Sequence, residues 1–436
     1  SRMTKSAQSK LDQREDQERT MTEIGIKLRK SRLEQLLELA QTYRGKTRRE
    51  LAQLLGRDPT KLVPASGSPK IELVMFIAEM LDWTVDEVAK WLCEGEEKVV
   101  KKHPRTSFEK LDEKSKQFHR SGEYKKMIET SQTSLRVAKT SEERARSFNR
   151  RAGGYDGLGR FSKVLSSAQA GLREHPISTS LRLLLQTTAA NAHYTLWELD
   201  EAQGMAQRVV DVYKEFAPKT NRDLVAQAHA WFVLGQSQRR MLDIDPENAV
   251  CHAESSRRSL SNAADLYESV ARNVHDSFGG IANTCRGGLI EVDVILGRHD
   301  AREALARIVD GLTPVVDVNK IKKGDWLESY GWWCIFGCNI VLRHISDEKD
   351  LQRYMALFTN KADEIADRLD HWAMRERVFS MQFEGRNRLI GWTGQDIPVV
   401  IDRDDIRLIT GTMGRFPQFK ETGWSLLNTG NVVEES

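Results

Sequence analysis

Cysteine is scarce in this chain: Cys93, Cys251, Cys285, Cys334 and Cys338 are odd in number and include no CxxC pair. That excludes a disulfide framework and a zinc ribbon, and it fits a reducing compartment. Long apolar runs are missing too. Nothing approaches the roughly 20 residues of a membrane span, and the opening stretch SRMTKSAQSKLDQREDQERT has no apolar segment of a signal peptide. A cytoplasmic protein without membrane contact is expected, with residues 1–20 a flexible tail because their polar, mixed-charge composition offers no core. Neither sign of charge dominates: 66 Lys and Arg against 63 Asp and Glu leave +3, so no global attraction to polyanions follows. HExxH, P-loop and GxSxG patterns are absent. The expectation is a non-enzyme with no catalytic residue, no metal and no cofactor.

What is present is helix. At 436 residues the chain exceeds one compact helical core, so two domains, or a small domain plus a repeat array, are expected. Charge is concentrated near the start: Lys27, Arg29, Lys30, Arg32, Arg44, Lys46, Arg48, Arg49 and Arg57 face only Glu34, Glu38 and Glu50. Such a patch suits either a phosphate backbone or a plain solvated helix face.

Apolar residues at helical spacing from Ile24 to Ala40, among them Leu28, Leu33, Leu36 and Leu37, predict a first helix that turns at Gly45. Thr47 and Glu50 form an S/T-x-x-E start for a second, with Leu51, Ala52, Leu54 and Leu55 apolar and Gly56 at its end. Asp58 and Pro59 open a third, which Pro64 limits to little more than one turn. Ser68 and Pro69 open a fourth with Ile71, Val74, Met75, Ile77, Ala78 and Leu81 inward, and Thr84 caps a fifth bearing Val85, Val88, Ala89 and Leu92. TRRELAQLLGR followed by PKIELVMFIAEMLDWTVDEVAKWL resembles the lambda-repressor-like (XRE) helix-turn-helix family over about 70 residues. The resemblance implies contact with double-stranded DNA by Lys46, Thr47 and Arg48 at the second helix, and by Arg57, Thr60 and Lys61 around the third. The third helix is shorter than that family's, and a docking or dimerisation module is the alternative.

Farther on, RSFNRRAGGYDGLGRFSKVLSSAQAGLREHP resembles a tetratricopeptide repeat, carried by Phe148, Ala152, Tyr155, Gly159, Phe161, Val164, Ala168, Gly171 and Pro176. Equivalents of Gly159 at Gly122, Trp197 and Gly235 extend the register through four units. The four glycines of the GGYDGLG run follow no strand, so they are helix-packing and turn residues rather than a phosphate loop. A repeat solenoid presents a groove lined by the first helix of each pair. Groove-facing offsets hold Arg146, Asn149, Asp156, Asn191, Tyr194, Arg222 and His229, where asparagine suits a peptide backbone; ordinary solvated polar residues are the alternative. Cys334 and Cys338, one turn apart, lie among Trp332, Trp333, Ile335 and Phe336 and are expected as core thiols.

The resulting layout is all-α: tail 1–20, a five-helix helix-turn-helix domain 21–95, a linker 96–107, a tetratricopeptide-like α-solenoid 108–390, and an irregular cap and tail 391–436. The combination resembles bacterial peptide-sensing transcription regulators. That likeness implies a homodimer on operator DNA controlled by a peptide or protein in the groove. A scaffold or adaptor that docks through its helix-turn-helix is the other reading.

Overall fold

The computed structural model describes residues 26–93, 106–395 and 397–432. The chain divides into two compact units, Ser1–Lys102 and His103–Ser436, a boundary inside the expected linker. The expected tail and most of that linker lie outside the described residues. Among the described residues no helix is long and apolar enough to cross a membrane.

In the first unit, α1 (26–44) buries Leu33, Leu36, Leu37 and Ala40. α2 (Arg48–Leu54) starts on the expected box: Glu50 Oε2 accepts the Thr47 N–H at 2.7 Å, and Thr47 Oγ1 accepts the Glu50 N–H at 3.3 Å. Asp58 caps the next segment, but with Pro64 close behind, the backbone makes only a 3₁₀ turn, Pro59–Lys61. α3 (Ile71–Leu81) and α4 (Val85–Cys93) complete the unit, with Thr84 and Glu87 repeating the box. The described residues therefore form four α-helices and a turn where five helices were expected. α3 begins after Lys70 and carries no side-chain cap, so Ser68 and Pro69 do not open it. Several residues expected inside lie outside: Leu54, Ile71 and Met75 are 58, 63 and 56% exposed, and Leu28, Val85 and Ala89 are exposed as well. α3 is apolar almost all round; its Leu73, Val74, Ile77, Ala78 and Leu81 are buried in the small core, and Phe76 and Met80 pack against it partly buried.

The second unit is a run of helices, each packed on its neighbours. They are α5 (Phe108–Arg120), α6 (Tyr124–Val137), α7 (Ser141–Asp156), α8 (Phe161–Leu172), α9 (Thr179–Thr195), α10 (Leu199–Glu215), α11 (Asn221–Ile244) and α12 (Ala249–Asn273). α13 (Phe278–Ile295), α14 (Ala301–Gly311), α15 (Asp325–His344), α16 (Glu348–Leu369) and α17 (Trp372–Thr393) follow. Gly122, Gly159 and Trp197 take left-handed turns with φ of 68, 61 and 66°, as their shared register requires. The fourth position departs from it. Gly235 lies inside the 24-residue α11, where its missing Cβ admits Leu260 of α12. No breaker interrupts α11 before Asp245 and Pro246, so the repeat spacing ends there.

The described residues after Gly391 form regular elements where an irregular cap was expected. α17 runs on to Thr393, and β1 (Val399–Ile401) pairs in parallel with β2 (Gly430–Val432) around α18 (Arg403–Met413) and α19 (Lys420–Thr429). Strands of three residues are too short to show alternation in a sequence.

The run of helices closes on itself. Trp372, at the start of α17, donates its N–H to the Leu158 carbonyl at 3.1 Å, and a Cβ on Gly159 would stand 2.5 Å from Ala373 N. The Gly122 turn meets Lys323 in the same way, at 2.6 Å. Lys125 pairs with Asp370 at 3.0 Å, and Phe161, Val164, Trp372, Ile409, Phe416 and Phe419 share one core. An open solenoid leaves its end repeats uncovered; here the first hairpins and the last helices cover each other.

Two glycines separate this closure from simple turn strain. Gly297 has φ +66° and open space around its Cβ position, whereas Gly159 has φ +61° and no space. Gly297→Ala should cost about 1 kcal/mol, the left-handed penalty alone. Gly159→Ala should cost roughly 2 kcal/mol more. Urea denaturation measures both, and equal losses would mean that the closure adds nothing to stability.

Candidate functional site

The six side chains expected on DNA lie on the first unit, and four of them are engaged within it. Arg48 donates to both oxygens of Glu34, at 2.5 and 3.1 Å, and to the Pro59 carbonyl at 3.1 Å. Arg57 pairs with Glu72 at 3.1 Å. Thr47 and Thr60 donate their hydroxyls to Glu50 and Asp58. Lys61 is exposed and Lys46 half-buried. The arginine pairs are themselves partly exposed, and such pairs hold with only about 0–1 kcal/mol.

In the second unit the helices line a half-open cavity of about 600 Å³. Six of the seven expected groove residues line it: Arg146, Asn149 and Asp156 from α7, Asn191 from α9, and Arg222 and His229 from α11. Tyr194 lines a smaller chamber of about 90 Å³, which shares Asp156, Asn191, His229, Tyr267, Ile281 and Asp325 with the larger one.

The larger cavity is basic. Lys116, Arg120, Arg146, Arg150 and Arg222 line it, anchored in part by acids behind them. Arg146 forks onto Glu109 at 2.9 and 3.0 Å and reaches Asp112 at 2.6 Å; Arg150 donates to Asp112 at 2.8 Å; Arg222 pairs with Glu142 at 3.2 Å. Burial works against charge on Asp112, which is 2% exposed, but the two guanidinium groups prevail and hold its carboxyl down at about 2. His119 and His229 are pushed down to about 4 by burial, so both are neutral at pH 7.

The smaller chamber is acidic, and no Lys or Arg lines it among the described residues. Burial, with Glu328 and Asp325 nearby, pushes the Asp156 carboxyl well up, although Asn191 Nδ2 donates to it at 3.0 Å. Burial and Glu328 push Asp325 up to about 7. Burial would raise Glu328 too, but His371 Nε2 at 3.4 Å and the Trp332 indole N–H at 2.9 Å hold it below the ordinary carboxylate range. His371 Nδ1 accepts the Met374 N–H at 3.1 Å, which leaves Nε2 to carry the proton toward Glu328.

Sequence reading brings α7, α9 and α11 to a common face but does not find Asp325, Glu328, Gln236 or Tyr267. Nothing in the sequence around Asp325 announces that α15 will bring it to the same chamber as Asp156 of α7. Cys334 and Cys338 are fully buried among the apolar residues of α15, in the core role expected of them. No protein-family model matches the chain, and no curated protein matches it either.

Asp325 makes a signed prediction. A carboxyl raised in the folded state holds its proton there first, so its contribution is full below the unfolded value of 3.8 and is lost as pH rises through about 7. Asp325→Asn removes that loss. Melting temperatures of variant and parent should diverge in favour of the variant from pH 4 to pH 8 and run parallel beyond; a constant difference across the range would contradict the assigned environment.

Proposed function

We propose that this protein is a DNA-binding transcription regulator whose helical body receives a short peptide that controls it. The carrying observation is the convergence of Arg146, Asn149, Asp156, Asn191, Arg222 and His229 in one cavity of about 600 Å³. That volume falls in the range that encloses small ligands. Asparagine amides donate and accept at once, as a peptide backbone requires. A basic cavity joined to an acidic chamber suits a ligand carrying both charges. The DNA-binding half rests on the resemblance of residues 21–95 to the lambda-repressor-like family and on Lys46 and Lys61, with Arg48 and Arg57 in ion pairs weak enough for a phosphate to displace. Peptide occupancy acts by biasing the spacing of the two DNA-binding modules in a homodimer.

A second reading makes the first unit a protein-docking module of an adaptor. The engaged Arg48 and Arg57 and the exposed Leu54, Ile71 and Met75 favour it.

Sheared genomic DNA retained at near-physiological salt and then sequenced separates the two. The regulator reading expects a discrete palindromic site. Lys46→Glu combined with Lys61→Glu should lower retention at least about tenfold and flatten its salt dependence. These positions are cleaner than Arg48 or Arg57, whose replacement also breaks contacts to Glu34 and Glu72. Uniform recovery, or none, removes the regulator reading and leaves docking.

A further inference from the structure

The smaller chamber has features that the peptide reading alone does not use. Three carboxyl groups, Asp156, Asp325 and Glu328, meet there among the rings of Phe161, Phe232, Tyr267, Trp332 and Phe336. Clustered buried acids are unfavourable unless a cation or hydrogen-bond donors compensate them. Asp156 has Asn191, and Glu328 has Trp332 and His371. Asp325 Oδ2 is buried and receives no hydrogen bond from the protein.

An independent observation concerns a donor. Gln236 is 1% exposed and lines the same chamber. Its Oε1 accepts from Arg239 Nε at 2.9 Å, and its Nε2 is buried without an acceptor. Unmet buried polar atoms are uncommon, and here the residues that carry an unmet acceptor and an unmet donor both line one small space.

Building on the peptide reading, we infer that this chamber seats the N-terminal ammonium of the peptide on Asp325 and Asp156, with the first peptide carbonyl accepting from Gln236 Nε2. An ammonium brings three donors and the compensating charge. The aromatic faces favour a cation and exclude water. The first carbonyl is bonded directly to the carbon that bears the ammonium, and its oxygen supplies the acceptor Gln236 lacks. About 90 Å³ holds roughly three water-sized groups, enough for the ammonium, its Cα and the carbonyl but for no large side chain. An anionic end is repelled here and belongs with the basic residues of the larger cavity. A simple alkylamine satisfies Asp325 but leaves Gln236 unmet.

The test is equilibrium dialysis of the full chain against a pool of random-sequence pentapeptides with free amino termini and against the same pool N-acetylated, read by mass spectrometry. The free pool should be retained at least about tenfold better, with small first residues enriched. Asp325→Asn and Gln236→Leu should each reduce that preference severalfold, and n-butylamine at equal concentration should not displace the retained peptides. The acetylation comparison uses the native protein, so it holds even if a variant fails to fold. Equal retention of the two pools overturns the ammonium seat and leaves the peptide reading standing. Retention of neither overturns the peptide reading and the seat with it. Displacement by n-butylamine overturns the peptide terminus in favour of a small-amine site.

Discussion

The carbonyl of Leu158 accepts the amide hydrogen of Trp372, and the second unit depends on the approach which that bond marks. One such bond is worth about 1 kcal/mol net. The apolar side chains around it, Phe161, Trp372, Phe416 and Phe419 among them, supply more, at about 1.5–3 kcal/mol for each fully buried large residue. The bond sets register and the core supplies the driving force. Gly159 permits both, because a Cβ would occupy the place of the α17 backbone. Without this approach α15 and α17 would not stand beside α7, and the residues around the two cavities would line an open groove.

Closure puts charge inside, and the protein treats buried charge in two ways. Glu291 is fully covered yet accepts from Arg239 at 2.9 Å, from Arg343 at 2.6 Å and from Asn339 at 3.1 Å, which ties α11, α13 and α15 together. Asp112 is likewise held by Arg146 and Arg150. Both carboxylates are met by guanidinium groups, and removing one partner from such a buried pair typically costs about 3–5 kcal/mol. The Asp325 carboxyl has no such partner: its Oδ2 receives no hydrogen bond, and Gln236, which lines the same chamber, has an Nε2 without an acceptor.

Much of the local structure is legible in the residue order. Thr47 with Glu50, Asp58 before Pro59, and Thr84 all act as the caps expected of them. Where the reading departs from the structure, the cause is a partner that local pattern cannot name. Ile71 and Met75 have core chemistry, but the core of a four-helix unit is too small to reach them. Gly235 has the residue type of a turn, but Leu260 of another helix makes it a packing site instead. β1 finds its partner only after two intervening helices, so neither strand carries a signal of its own.

By itself the sequence determined the helices, most of their ends, and the shared face of Arg146, Asn149, Asp156, Asn191, Arg222 and His229. Caps, left-handed turns and helical periodicity act between residues a few positions apart, so residue order is enough to specify them. The tertiary structure alone decided that Asp325 and Glu328 would meet Asp156, that Gln236 would lose access to water, and that the groove would become a chamber. Those outcomes depend on which distant surfaces bury each other, and the environment of a carboxylate, unlike a helix cap, is set by everything that surrounds it.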